Sequence, residues 1–211
     1  MSFESVMPPY NSSDPTATFL SSSSLDFLLI ELVPLAYRVT TEQYPSATTA
    51  SGAAETRSTT ANTVTVTSPS RANDDEPTDA VRHKLETTGY RVGQGLVERF
   101  SKDRPRFNDT LDVIKFLCKD LWSLVFGKNI DNLKTNHRGV YVLTDSVFRP
   151  FSRMSTEAGG QAIVRAQPYL WFPCGIVKGA LAALGIDATV QAEVHELPGA
   201  IFQIKTDQSK P

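Results

Sequence analysis

Gly89-Tyr90-Arg91-Val92-Gly93-Gln94-Gly95-Leu96-Val97-Glu98-Arg99-Phe100 carries three glycines in seven residues, yet it lies inside a helical pattern. Apolar or small residues recur at Val81, Leu85, Gly89, Val92, Leu96 and Phe100, a spacing of three and four that marks one face of an α-helix. Each interior glycine costs about 1 kcal/mol relative to alanine, so local propensity does not account for them. Close approach of another backbone does, because a helix without Cβ atoms on one face lets its neighbour sit unusually near. The stretch therefore predicts a helix from about Asp79 to Ser101 that packs tightly against a neighbour, which belongs to this chain, to a ligand or to another protein.

On either side of this helix the composition changes abruptly. Residues 1–79 carry a net charge of −7 and residues 80–211 a net charge of +5, too weak a basic balance to indicate nucleic acid. The sequence predicts a disordered N-terminus over 1–20, the first helix of the domain over 21–39 and a disordered Ser/Thr-rich insert over 40–79. The remainder of a single domain follows over 80–206, with a tail at 207–211. Leu25-Asp26-Phe27-Leu28-Leu29-Ile30-Glu31-Leu32-Val33 is so apolar that a helix there must be covered on most of its sides. Pro34 is expected to kink it or end it. The insert has too few large apolar groups to offset its ordering entropy.

Beyond Lys102-Asp103-Arg104-Pro105-Arg106, a third helix is expected from Asp109 to about Phe126, with Gly127 as its stop. Ile130–Asn136 and Val140–Thr144 predict a hairpin turning at His137-Arg138-Gly139. Phe148–Phe151 reads as a short extra strand, and 155–167 as a connection of undecided form. A buried helix is expected between Tyr169 and Gly185, where Lys178 is the one charge; Pro173 predicts a kink or a later start. Strands follow at Ala188–Val194 and Ala200–Ile204. The fold class is α+β, a helical layer packed on one face of a small antiparallel sheet.

Catalytic signals are absent from this pattern. Gly93-Gln94-Gly95 begins like a dinucleotide fingerprint, but Glu98 stands where the third glycine belongs and no strand precedes it. His83, His137 and His195 lack metal-ligand spacing. Cys118 and Cys174 lie in apolar segments and read as reduced, buried thiols of a cytosolic protein without a signal peptide. Lys102, Arg104 and Arg106 form a candidate basic surface, read first as a solvated loop and second as a contact for an acidic partner or phospholipid headgroups. No catalytic, cofactor-binding or metal-binding residue is assigned, and no cofactor is expected.

Four stretches resemble the TRAPP (transport protein particle) small-subunit family. They are Gly89 to Phe100, Leu111 to Trp122, Ile130 to His137, and Gly139 to Leu143. Tyr169-Leu170 through Cys174-Gly175 also fits, and the likeness spans about residues 20–38 and 80–206. The resemblance implies a non-catalytic core subunit of a tethering complex that acts as Rab guanine-nucleotide exchange factor in ER-to-Golgi and Golgi vesicle transport. It implies a heterodimer with the family's acylated paralogue, contact with other TRAPP subunits, and help in attaching larger ones. The Rab GTPase is reached only through the complex, as is peripheral attachment to cis-Golgi and ER-derived membranes. The acylated paralogue has a cysteine where Arg104-Pro105-Arg106 stands here, so a covalently held fatty acid is not carried over. Combining the resemblance with the apolar first helix gives Leu25, Leu28, Leu29, Leu32, Gly89, Val92, Gly93 and Leu96 as the candidate dimer interface. The alternative is a small apolar-ligand or lipid-binding domain with its pocket between sheet and helices.

Overall fold

Residues 21–43, 75–102, 104–136, 138–154 and 161–207 are described by the structure, a computed structural model. The expected disordered terminus at 1–20, most of the insert, His137, residues 155–160 and the last of the tail lie outside them. Helix α1 runs Ser22–Gln43 and passes through Pro34, where an end or kink was expected. Proline removes one donor, leaving the carbonyl four residues back without its helical partner. Pro34 and Ile30 lie toward the outer side of α1, so water can take that bond. Helix α2 runs Asp75–Ser101. Both helices thus extend further into the expected insert than composition suggested.

The third helical region is continuous but not uniform. Helix α3 (Thr110–Phe116) gives way to a π-helical turn (Leu117–Leu121), then to α4 (Trp122–Phe126). Asp109 takes the N-cap position and Gly127 ends the region with φ 78°, a left-handed conformation that suits glycine. The π turn has a local use: Cys118 O accepts from Ile130 N at 3.0 Å, docking the segment that leads into the sheet.

Strands β1 (Asn132–Thr135), β2 (Val140–Asp145), β3 (Ala188–Glu193) and β4 (Ala200–Thr206) form one antiparallel sheet in the order β1-β2-β4-β3. The β1–β2 turn is closed by Asn136, whose Oδ1 accepts from Arg138 N and Val140 N, and by Gly139 at φ 82°. Phe148–Phe151 forms no strand. Arg149–Phe151 is a 3-10 turn, because Pro150 favours a helical φ and has no donor for a ladder. Helix α5 (Gln161–Ala166) and a 3-10 turn lead into α6 (Trp171–Ala183). Pro173 sits in the first turn of α6, where no helical donor is needed; the α-helix begins at Trp171, after a 3-10 turn that holds Tyr169, which is the later start expected.

The principal core lies between the sheet's inner face and the helices. Tyr141, Leu143, Phe202 and Ile204 from the strands meet Ile114, Leu117, Trp122, Ile176 and Leu181. Trp122, Phe126, Phe148, Phe151 and Phe202 form an aromatic cluster with ring centroids 4.6–6.2 Å apart in the contacting pairs. At its rim is the fully buried carboxylate of Asp145. It accepts from Trp122 Nε1 at 2.8 Å, Lys128 Nζ at 2.7 Å and Val147 N at 3.1 Å. A separate, smaller cluster of Val33, Ala36, Val81 and Leu85 joins α1 to α2.

Candidate functional site

The glycines of α2 divide cleanly. A Cβ built on Gly89 would stand 2.2 Å from Phe172 O, and one on Gly93 2.1 Å from Ile176 O. The partner helix answers in kind: Gly175 lies against Glu86 O and Gly179 against Tyr90 O, at 2.2 and 2.0 Å. Two glycines from each helix, four residues apart, let the α2 and α6 backbones touch. Gly89 and Gly93 are thereby withdrawn from the candidate dimer interface, since both are buried inside the fold and the atoms they admit belong to α6. Gly95 has no atom within 4 Å of the position its Cβ would take.

The remaining candidate residues separate by exposure. Leu28 is 61% exposed and Val92 39%; Leu25, Leu32 and Leu96 are half-buried, and Leu29 is buried. Leu32 packs on the small α1–α2 cluster and Leu96 on the principal core, so neither is wholly free for a second chain. Four residues not singled out by sequence join Leu28 on the outside of α1: Phe27 at 65% exposure, Ile30, Leu35 and Tyr37. The excess of apolar residues over 25–33 was the readable signal for Phe27 and Ile30. Leu35 and Tyr37 lie beyond Pro34, where a kink or an end was expected, and so outside the 25–33 run that carried the signal.

Together these residues make an amphipathic helix turned partly inside out. Leu29, Val33, Ala36 and Thr40 face inward at helical spacing, with the Thr40 hydroxyl satisfied by Ala36 O at 2.8 Å. On the outer arc, Leu28 and Leu35 lie to one side and Ile30 and Tyr37 to the other of a Glu31–Arg38 ion pair, with Phe27 one turn before Glu31. Exposed apolar groups massed on one helix, rather than scattered singly, mark a contact surface. The start of α1 is fixed by Asp26, which accepts from Arg149 Nε at 2.8 Å and Arg153 Nε at 3.2 Å. Its carboxyl is held below the usual range by these bonds, that of Arg149 first.

The candidate basic surface shrinks. Lys102 and Arg106 are exposed, but the Arg104 side chain is 13% exposed and pairs with Asp120 at 2.6 Å. Its guanidinium also stands 5.0 Å from the centre of the Phe116 ring. That arginine braces α3 and the π turn instead of meeting solvent. Burial pushes the thiols of Cys118 and Cys174 up to about 12, so both are protonated and unreactive near neutrality. Among the described residues, no group of three or more His, Cys, Asp or Glu side chains is placed to hold a metal, and no helix is long and apolar enough to cross a membrane.

Comparison with known proteins adds a family to this geometry. A family model described as Transport protein particle (TRAPP) component matches residues 25–207. A trafficking protein particle complex subunit 6B from Homo sapiens is 54% identical over 121 residues, covering 57% of this chain and 75% of that one. An uncharacterized protein of Schizosaccharomyces pombe is 36% identical over 183 residues, 87% of this chain and 62% of its own length. Among solved structures, a trafficking protein particle complex subunit 3 from Naegleria fowleri, covalently bound to palmitic acid, is similar with a TM-score of 0.58. That match covers 88% of this chain and 96% of the other at 13% identity, a likeness of fold alone.

Proposed function

The chain belongs to the TRAPP component family and resembles its subunit 6, and from that premise we propose that it is a non-catalytic core subunit of a TRAPP tethering complex. It pairs with an acylated small-subunit paralogue through the outer face of α1 and the adjoining Val92 edge of α2. The assembled complex acts as a Rab guanine-nucleotide exchange factor in ER-to-Golgi and Golgi transport. This subunit helps attach larger subunits, touches the GTPase only through the complex, and reaches Golgi and ER-derived membranes in the same way.

One observation carries the pairing: Phe27, Leu28, Ile30, Leu35 and Tyr37 are exposed on the single helix α1. Interfaces concentrate their energy in a few apolar and aromatic anchors, and each fully covered large side chain contributes roughly 1.5–3 kcal/mol. The test is co-expression with the acylated paralogue, followed by affinity purification. Phe27→Asp with Leu28→Asp should abolish co-purification while the variant alone keeps its thermal unfolding transition. These side chains point outward, so folding does not depend on them. Unchanged co-purification would refute the pairing surface.

A further inference from the structure

Helix α1 arranges its exposed apolar residues around two charges. Between Asp26 and Glu42, Glu31 and Arg38 are the charged residues of the helix, and Arg38 Nη2 donates to Glu31 Oε1. Seven residues apart, they stand nearly in line along the helix and roughly 10 Å from one another in axial rise. The inward residues Leu29, Val33, Ala36 and Thr40 centre roughly 170° around the helix from them. The pair therefore runs down the middle of the outward face. Leu28 and Leu35 flank it on one side, Ile30 and Tyr37 on the other. A surface that touches both flanks must pass over the pair.

In the isolated chain this pair contributes little. Both side chains are more than half exposed, so water screens the attraction, and holding two long side chains in one geometry costs entropy. Covering the pair changes the balance. Its mutual bond uses Glu31 Oε1 and Arg38 Nη2; the second carboxylate oxygen and the further guanidinium donors need partners once water is excluded. A wholly apolar covering surface supplies none. A covering surface with its own charges in the matching order supplies them, and each charge then meets an opposite one across the interface.

Resting on the pairing through α1 described above, we propose that Glu31 and Arg38 are the specificity-determining residues of that face. The partner sets a basic side chain against Glu31 and, two helical turns further along, an acidic one against Arg38. The order of the charges along α1 fixes the direction in which the partner lies. An apolar surface without those groups is rejected, because it strands both charges. The apolar flanks supply attraction, and the two charges supply choice.

The test is co-expression of the full chain with the acylated paralogue and affinity purification, comparing the parent with Glu31→Arg/Arg38→Glu. That exchange keeps the intrahelical pair, the net charge and every apolar anchor, and reverses only the order of the charges. The thermal unfolding transition should be unchanged, while captured paralogue should fall by about tenfold or more. Glu31→Leu/Arg38→Leu should also capture less than the parent, despite its more apolar face, because the partner's own charges are left unpaired. If either double variant loses its unfolding transition, Glu31→Gln and Arg38→Gln singly carry the comparison, each expected to lower capture. Capture by the exchanged chain at the parent's level, or by the Leu variant at or above it, overturns the inference and leaves the pairing surface standing. Failure of the parent itself to capture the paralogue, or unaltered capture by Phe27→Asp with Leu28→Asp, overturns instead the pairing on which the inference rests.

Discussion

Asp131 accepts from Lys128 Nζ at 2.8 Å, and from the hydroxyl and backbone N–H of Ser146 at 2.6 and 2.7 Å. These bonds, that of Lys128 first, hold its carboxyl at about 2 instead of its ordinary 3.8. A carboxylate whose pKa is depressed by folding favours the folded state at pH above its unfolded value. That contribution fades as pH falls from about 4 through about 2. The Asp131 side chain is 41% exposed, so solvent screening limits the contribution to about 1 kcal/mol or less. Asp131→Asn is expected to lower Tm by a few degrees at pH 7, the scale of about 1 kcal/mol in a chain of this size. The deficit should shrink toward zero near pH 2. Thermal unfolding of both proteins between pH 2 and 7 measures it, and a deficit that stays constant across that range would contradict the assignment.

At the scale of elements, the α2–α6 contact decides the packing of the helical layer. Each of its four glycines would place a Cβ within 2.2 Å of a backbone oxygen on the other helix, which forces the helices apart. Gly179→Ala is therefore expected to destabilise by about 1–3 kcal/mol or more, while Gly95→Ala, with open space at its Cβ position, should stabilise by about 0.5–1 kcal/mol. Equilibrium denaturation of the two variants gives opposite signs if the glycines are assigned correctly. Much of this was legible beforehand. Gly89 and Gly93 are four apart, as are Gly175 and Gly179, and Gly95 is turned roughly 200° around the helix from Gly93. What the sequence could not supply was the pairing of one glycine couple with the other, since that is a tertiary fact. The strands expected at 140–144 and 200–204 were equally plain, because one face of each is buried. The misread elements, the kink or end at Pro34 and the strand at 148–151, both turn on proline. Its local rules say which hydrogen bond is lost but not whether water or a turn makes up for it.

Across the molecule, the described residues form two apolar clusters of unequal size. Helix α6 belongs to the principal core, whereas α1 is held mainly by Val33 and Ala36 against Val81 and Leu85, with Asp26 tied to Arg149 and Arg153. The candidate surface was only partly legible for this reason. Composition marked 25–33 as too apolar, but which arc of the helix faces inward depends on where α2 lies, and that separated Leu28 from Leu29. An element with few buried contacts opens at lower free energy than the core, and a partner that binds only the closed form protects it by mass action. In the isolated chain, amides of α1 should exchange at least about tenfold faster than those of α6, a difference of about 1.4 kcal/mol or more. Arg149→Ala should widen that gap, because it removes the stronger of the two anchors on Asp26 at the start of the helix. On adding the acylated paralogue, protection should rise across residues 25–43 and near Val92 while that of α6 stays unchanged. Hydrogen exchange read by mass spectrometry follows all three segments at once. If α1 is already as protected as α6 in the isolated chain, or if added partner slows exchange elsewhere and leaves α1 untouched, the outer face of α1 is not where the second subunit sits.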